Sequence, residues 1–489
     1  MTILQKIARL CPQRQTPGLD EETVTRFIAN DPQLNEAIRA ADQRLSEFSP
    51  AERELLSRPE AEQITELQHG FVNFYPQTVV NPYVGLAAQG PWIITTAGAV
   101  IYDAGGYGML GFGHNPPRIA AALAHSQVMA NIMTASFSQK KFTEALRQEI
   151  GKNAHFSPGK APYSHFLCLN SGSEAMTLAA RFVDLNAHTQ LRGSSSHKIK
   201  ILAIEGSFHG RTDRPAQFSH SSLPVYQKHL ASFAHLTNLV VVRPNDLDHL
   251  HQVFAEARGQ QNFFEAFYME PVMGEGDPGM AINPEFYREA RRLTREMGSL
   301  LVVDSIQAGL RAHGCLSIID YPGMEGISPP DIEVFSKALN AGQFPLSVLA
   351  VNATTAALYV DGIYGNTMTS NPRGLELASA VLAQVSPALA RNISEMGKVL
   401  LEEFKKLHRE FPQLIKAVKG TGLLLSIQIN PDYGSVSAAG GMEQQLRQAG
   451  LGVIHGGKNS LRFTPHFQIN TAEVSLIVGK LRDLFQAAT

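Results

Sequence analysis

Seven short, mostly apolar runs constrain the fold of this chain most. They lie near residues 166–169, 200–204, 239–242, 266–269, 300–303, 332–335 and 347–351. Runs that do not alternate with polar residues suit strands buried on both faces. Their alternation with helix-forming segments such as 173–186 and 284–297 predicts an α/β domain built on a parallel sheet with crossover helices. Where such strands end, at their carboxyl edge, is where open α/β sheets bind ligands.

The flanks differ in texture. Before residue 70 the chain is polar and helix-prone, with helices expected at 34–48 and 51–67 and a docked extension as their role. Residues 92–96 and 100–103 read as a hairpin about Gly98, and the glycine-rich 105–114 stretch as either a close backbone approach to a ligand or a surface loop. Residues 194–196, three serines, read as a solvated loop. Beyond Pro372 a long helical stretch is expected to about 410, then strands at 422–429 and 460–463. The expected organisation is an N-terminal helical extension and small-domain segment over 1–115, a large domain over 116–371 and a small α+β domain over 372–489. A chain of 489 residues is too long for one simple core.

Composition excludes some classes of partner. A net charge of −2 and an isoelectric point near 6.8 leave no electrostatic footprint for nucleic acid or an anionic membrane. No apolar run approaches the length of a membrane span. The three cysteines show no metal-ligand spacing and no disulfide density, which suits a reducing compartment, and a cytoplasmic location with small-molecule partners is expected.

The chemistry centres on the strand ends. Asp304 follows the 300–303 run and Lys337 follows the 332–335 run, so both are expected at one crevice. An amine paired with a carboxylate in this setting suits pyridoxal phosphate, which bonds a lysine amine and needs an acid to keep its ring nitrogen protonated. Three further groups fall at strand ends. Asn170–Ser171–Gly172–Ser173–Glu174 opens a helix and offers amides and hydroxyls to a phosphate, although an ordinary helix cap reads the same way. Phe208–His209–Gly210–Arg211–Thr212 offers a ring for stacking and a guanidinium for a carboxylate, or else a core aromatic beside a surface ion pair. Glu270 and Glu275 flank a third turn, where acids are usually solvated.

Taken together and in order, LNSGSEA, SFHGRT, MEPVMGEG, LVVDSIQAG, VFSKALNAG, NTMTSNP and SLRFTP resemble the class III aminotransferases. These are fold type I pyridoxal-phosphate enzymes that include the 4-aminobutyrate, ornithine and lysine 6-aminotransferases. The similarity runs from about Asn81 to the end. It implies a large domain with a mostly parallel seven-stranded sheet. It also implies Lys337 as the Schiff-base lysine, Asp304 as partner of the ring nitrogen, Gln307 as donor to the ring hydroxyl and Phe208 as the stacking ring. Ser171, Gly172 and Ser173 would hold the phosphate. Glu270 joins the cofactor-binding set, and Thr367 would reach the phosphate of a neighbouring subunit in a homodimer with shared sites. Arg462 and Glu275 match a switchable pair that receives and releases the α-carboxylate of glutamate, and Arg211 matches the cation for a distal carboxylate. The implied reaction moves an amino group from an ω-amino acid, such as 4-aminobutyrate, ornithine or lysine, to 2-oxoglutarate. A racemase or aminomutase on the same scaffold, or a non-catalytic binding protein of the same fold, are the competing readings. The chain departs from the family pattern at Ser305, where an acid is usual, and over Ala308–Gly309–Leu310–Arg311–Ala312–His313.

Overall fold

The apolar runs form the central sheet of the larger of two units, Arg118–Ser394. The computed structural model describes every residue except Met1, Pro12, 154–160 and 194–196, so the expected serine loop lies outside the described residues. The strands are β1 (His165–Leu169), β2 (Lys198–Ile204), β3 (Leu239–Val242), β4 (Asn262–Met269), β5 (Leu300–Asp304), β6 (Ile332–Phe335) and β7 (Ser347–Val351). They lie in the order β1-β7-β6-β5-β4-β2-β3. All neighbours are parallel except β7, which runs antiparallel to both β1 and β6. Six strands therefore present their carboxyl ends at the same edge.

Burial on both faces explains the largely apolar runs: every residue of β5 and β6 is buried, Glu333 included. One face packs against the Gly172–Gln190 helix. Its Met176, Leu178, Phe182 and Val183 meet alternate sheet residues Tyr268, Val302, Ile332, Val334 and Leu349, while Ala175 and Ala179 let the backbone come close. Each such fully buried large side chain contributes roughly 1.5–3 kcal/mol. The Pro284–Met297 helix has the ends that its sequence announces. Asn283 Oδ1 accepts the Phe286 amide at 2.7 Å, Pro284 opens the first turn, and Gly298 closes it at φ 76°.

An ion pair staples that helix to the sheet. Arg291 is buried and donates from both terminal nitrogens to Asp331, at 2.6 and 2.7 Å, and Asp331 also accepts the Leu301 amide at 2.9 Å. Asp331→Ala leaves a buried guanidinium unpaired. It is expected to cost about 3–5 kcal/mol, read as a lower urea midpoint for the large unit, while Arg291→Met/Asp331→Leu together recover most of it. A midpoint unchanged in Asp331→Ala would show the pair to be idle.

The other unit is Met1–Pro117 with Glu395–Thr489. Here the expected hairpin forms, Trp92–Thr95 against Val100–Asp103 with Trp92 opposite Tyr102, and Leu451–Gly452 adds a parallel strand beside Tyr102. The chain's two ends thus share one sheet. The N-terminal helices dock on it: Trp92 is fully buried, donates to Asp31 Oδ2 at 2.6 Å and has Phe27 at 4.9 Å. A second sheet pairs Ile415–Thr421, Leu424–Ile429, Ser460–Phe463 and Ile454–Gly456. Two expected helices are each broken. The 51–67 segment divides into Pro50–Leu56 and Glu60–Gln68 about Pro59, and the 372–410 segment into Pro372–Leu382 and Pro387–Glu410. In both places a proline, which cannot donate within a helix, precedes or opens the second piece. Contacts place Pro372–Leu382 in the Arg118–Ser394 unit, so the division of that unit falls at 394/395 rather than at 371/372. Among the described residues no helix is long and apolar enough to cross a membrane.

Candidate active site

Five loops that follow parallel strands meet at the carboxyl edge of the sheet. Asp304 ends β5, and Lys337 follows β6 by two residues. The lysine nitrogen donates to Gln307 Oε1, on the loop leaving β5. Lys337 has φ 48°, a left-handed backbone that a side chain makes costly and that is held at sites where geometry is imposed from outside. It is half-buried, whereas Asp304 and Gln307 are each only 4% exposed.

Asp304 has both oxygens engaged. Oδ1 accepts the Ile306 amide at 3.1 Å, and Oδ2 pairs with His209 Nδ1 at 2.9 Å. His209 is itself buried among the rings of Phe218 and Tyr268. Sequence reasoning named His209 only as a member of the SFHGRT run and gave it no role. Its signal was present, an imidazole in a strand-end loop next to an aromatic residue, but its partner is 95 residues away.

Glu270 follows β4 and is pinned between the Phe208 amide, 3.0 Å from Oε2, and the Gly274 amide, 2.9 Å from Oε1. Burial pushes its carboxyl up to about 7, against the opposing pull of His209. Glu275, in the same turn, is half-buried. Phe208 lies beside the guanidinium of Arg211, 5.3 Å from the ring centre, and Arg211 also donates to Tyr226 Oη at 3.4 Å.

The turn after β1 opens the Gly172–Gln190 helix. Ser171 Oγ accepts the Glu174 amide at 3.2 Å, so this serine does cap the helix as well as line the turn. Ser173 Oγ accepts the Arg211 amide at 3.2 Å, and Ser347 Oγ donates to the Ser171 carbonyl at 2.7 Å. These bonds lock the turn to the neighbouring loops. The backbone is close-packed there: a Cβ on Gly172 would fall 2.7 Å from Ile306 Cδ1, and one on Gly210, at φ 122°, would fall 2.5 Å from Ser173 Oγ. The first amides of a helix have no partner within it and face an anion readily.

The structure thus brings together Ser171, Gly172, Ser173, Phe208, Arg211, Glu270, Glu275, Asp304, Gln307 and Lys337. Thr367 is exposed, and its carbonyl accepts Asn131 Nδ2 at 3.3 Å. Arg462 belongs to the other unit, buried on the Ser460–Phe463 strand opposite Ser426.

These residues fit pyridoxal phosphate. Gln307 Nε2 is a buried amide donor with no hydrogen-bond partner among the described residues, which suits the ring oxygen of the cofactor. Gly274 makes room beside it, since a Cβ there would fall 2.3 Å from Gln307 Cγ. A buried carboxylate, an amine and a helix N-terminus complete a donor set matched to ring nitrogen, aldehyde and phosphate.

Comparison with known proteins agrees. Residues 75–485 match the family pattern described as aminotransferase class-III. An ornithine aminotransferase 2 of Staphylococcus aureus is 29% identical over 431 residues, 87% of this chain and 99% of that one. An acetylornithine aminotransferase of Prochlorococcus marinus is 27% identical over 432 residues, 85% of this chain and 97% of that one. The crystal structure of the ornithine aminotransferase from Toxoplasma gondii ME49 superimposes with a TM-score of 0.74 at 22% identity, covering 89% of this chain and 97% of that one. The sheet is the fold type I scaffold, and the chain belongs to the class III aminotransferases, pyridoxal-phosphate enzymes that transfer amino groups between small amines and keto acids.

Proposed function

We propose that this enzyme transfers the distal amino group of an ω-amino acid, of the 4-aminobutyrate, ornithine or lysine kind, to 2-oxoglutarate, with Lys337 and Asp304 as its catalytic residues. The observation that carries the reading is the convergence of a strained lysine, a buried carboxylate held by His209 and an unpartnered amide donor at one sheet edge. The names of the relatives support the donor class, because ornithine and acetylornithine both present a primary amine far from their carboxylate.

Pyridoxal phosphate would supply an aldehyde that takes up amines and a ring that accepts the electron pair left when a C–H bond on the amine-bearing carbon breaks. Lys337 would hold it through the side-chain nitrogen, and the same amine would serve as the base that moves the proton. Asp304 keeps the proton on the ring nitrogen, and His209 fixes the carboxylate's orientation. Gln307 would donate to the ring oxygen and Phe208 would cover the ring, while Glu270 sets the loop that carries Phe208. Ser171, Gly172 and Ser173 bind the phosphate with the positive end of their helix.

Substrate discrimination rests on three residues. Arg211 would take a distal carboxylate, and Arg462, screened by Glu275 while the ω-amine reacts, would take the α-carboxylate of glutamate; guanidinium to carboxylate contacts are strong and geometrically selective. Arg462→Ala is expected to slow the glutamate half-reaction about 100-fold while changing the ω-amine half-reaction by less than about fivefold, consistent with loss of about 3 kcal/mol of charged hydrogen bonding. Arg211→Ala should slow both for carboxylated substrates. Single-turnover absorbance of each half-reaction tests the scheme, and equal losses in both halves for Arg462→Ala overturn the switch. The same assay tests the reaction itself: a bound-cofactor absorbance that does not respond to glutamate overturns 2-oxoglutarate as acceptor.

A homodimer completes the proposal, with Thr367 reaching the partner's phosphate site. Support comes from two segments of the larger unit joined by the Asn131–Thr367 bond. One exposes Ile132 (65%), Met133 (90%) and Phe137 (92%), the other Met368 (59%). Exposed apolar side chains clustered in this way mark an interface.

A further inference from the structure

We propose that Glu333 is a positioning residue of this site: its buried carboxylate clasps both ends of the 305–318 loop, which carries Gln307, and ties that loop to the strand leading into Lys337. The proposal rests on Lys337 and Gln307 serving the cofactor as set out above.

Glu333 is the one charged residue inside β6 and is fully buried. Ile332 and Val334 on either side of it face the apolar core under the Gly172–Gln190 helix, so Glu333 points to the opposite face. There its two oxygens meet four donors. Oε1 accepts Ser305 Oγ at 2.6 Å and the Ile318 amide at 2.9 Å; Oε2 accepts Tyr163 Oη at 2.7 Å and Ser317 Oγ at 2.5 Å. A carboxylate offers about four lone-pair sites, and all of them are filled. A valine here would satisfy the strand but leave these donors buried without their acceptor.

The identity of the donors gives the carboxylate its role. Ser305 is the first residue of the loop and Ser317–Ile318 its last turn, so one side chain closes the loop at both ends. Ser305 is also held through its backbone, whose amide donates to the Val334 carbonyl at 3.0 Å. The loop is internally tied as well, with the Leu310 amide donating to Cys315 and Leu310 itself at φ 63°. It therefore moves as a piece. Ile306 forms the wall against Gly172, and Gln307 reaches both Gly274 and the Lys337 nitrogen. A shift of the loop would displace the ring-oxygen donor and the phosphate turn's wall at once. Asp304 directly precedes the clasp, and Lys337 lies four residues beyond Glu333.

The test uses Glu333→Val, Glu333→Gln and Ser305→Ala. In the cofactor-free protein, peptide-level hydrogen exchange is expected to accelerate over 305–318 and to stay at the wild-type rate in β4 and β5. In the loaded enzyme kcat should fall about 10- to 100-fold with little change in either KM, and the pH dependence of the bound cofactor's absorbance should shift. Glu333→Gln keeps one oxygen and should recover part of each effect. If Glu333→Val does not fold, Ser305→Ala removes a single strut and should show the same pattern at smaller amplitude. A folded Glu333→Gln or Ser305→Ala enzyme with wild-type loop exchange, kcat and absorbance profile overturns the proposal, as does a lowered melting temperature with all three unchanged. Borohydride trapping on Lys337 of the wild type tests the underlying reading separately, because the exchange measurement needs no cofactor.

Discussion

Lys337→Ala is expected to leave no measurable transamination in a protein that still folds. Both halves of this outcome have a physical basis. In the proposed scheme the amine is both the covalent anchor for the cofactor and the base for the proton transfer, and the loss of a positioned base alone costs about 10²–10⁴-fold. Removing the anchor adds to that. The backbone should not object, because Lys337 already sits at φ 48°, where alanine and lysine suffer the same Cβ crowding. The half-buried side chain gives up its bond to Gln307 and little packing. Thermal unfolding of the cofactor-free proteins should therefore be nearly superimposable. Borohydride reduction of the wild type and peptide mapping give an independent check, and label on a lysine other than Lys337 would sink the assignment.

What could be read from the sequence was what depends on local pattern. Most of the seven strands stood out because burial on both faces leaves them largely apolar, and 332–335 was legible despite its single acid, Glu333. Where a charge is tolerated inside a strand, the reading stopped short: β4 was expected from Ala266, but it begins at Asn262, because Glu265 is buried and paired with Arg214 at 2.8 Å. The Ile415–Thr421 strand escaped notice for a related reason, since Lys416, Lys419 and Gly420 blur its period. Asp304, Gln307 and Lys337 were legible because strand ends are marked in sequence. The His209–Asp304 bond and the Glu333 clasp were not, because each depends on which strands become neighbours. His209 follows β2 and Asp304 ends β5, and only the insertion of β4 between them fixes their distance. Glu333 looked like one residue of a short strand until Ser305, Ser317 and Tyr163 were placed around it.

Asp304→Asn is the substitution whose effect separates charge from shape. Asparagine matches the aspartate in size, and the site is rigid enough to show how it must sit. The Ile306 amide, a donor 3.1 Å from Oδ1, requires an oxygen on that side, so the new amide nitrogen faces His209 Nδ1. His209 can accept there only with its proton on Nε2, which is buried without a hydrogen-bond partner among the described residues. The variant is thus tolerated sterically, with the imidazole proton moved from Nδ1 to Nε2. What it lacks is the negative charge proposed to face the ring nitrogen. Two unit charges about 4 Å apart at an effective dielectric near 20 attract by about 4 kcal/mol, which is about 10³-fold in rate if that attraction is felt mainly in the transition state. We therefore expect kcat to fall by about that factor while the protein still binds cofactor through Lys337, as read from its absorbance. An added pyridine-ring analogue whose ring nitrogen is permanently cationic should restore part of the lost rate in Asp304→Asn and none in Lys337→Ala. Near-wild-type turnover in Asp304→Asn with full cofactor content would mean that the charge holding the ring proton comes from some residue other than Asp304.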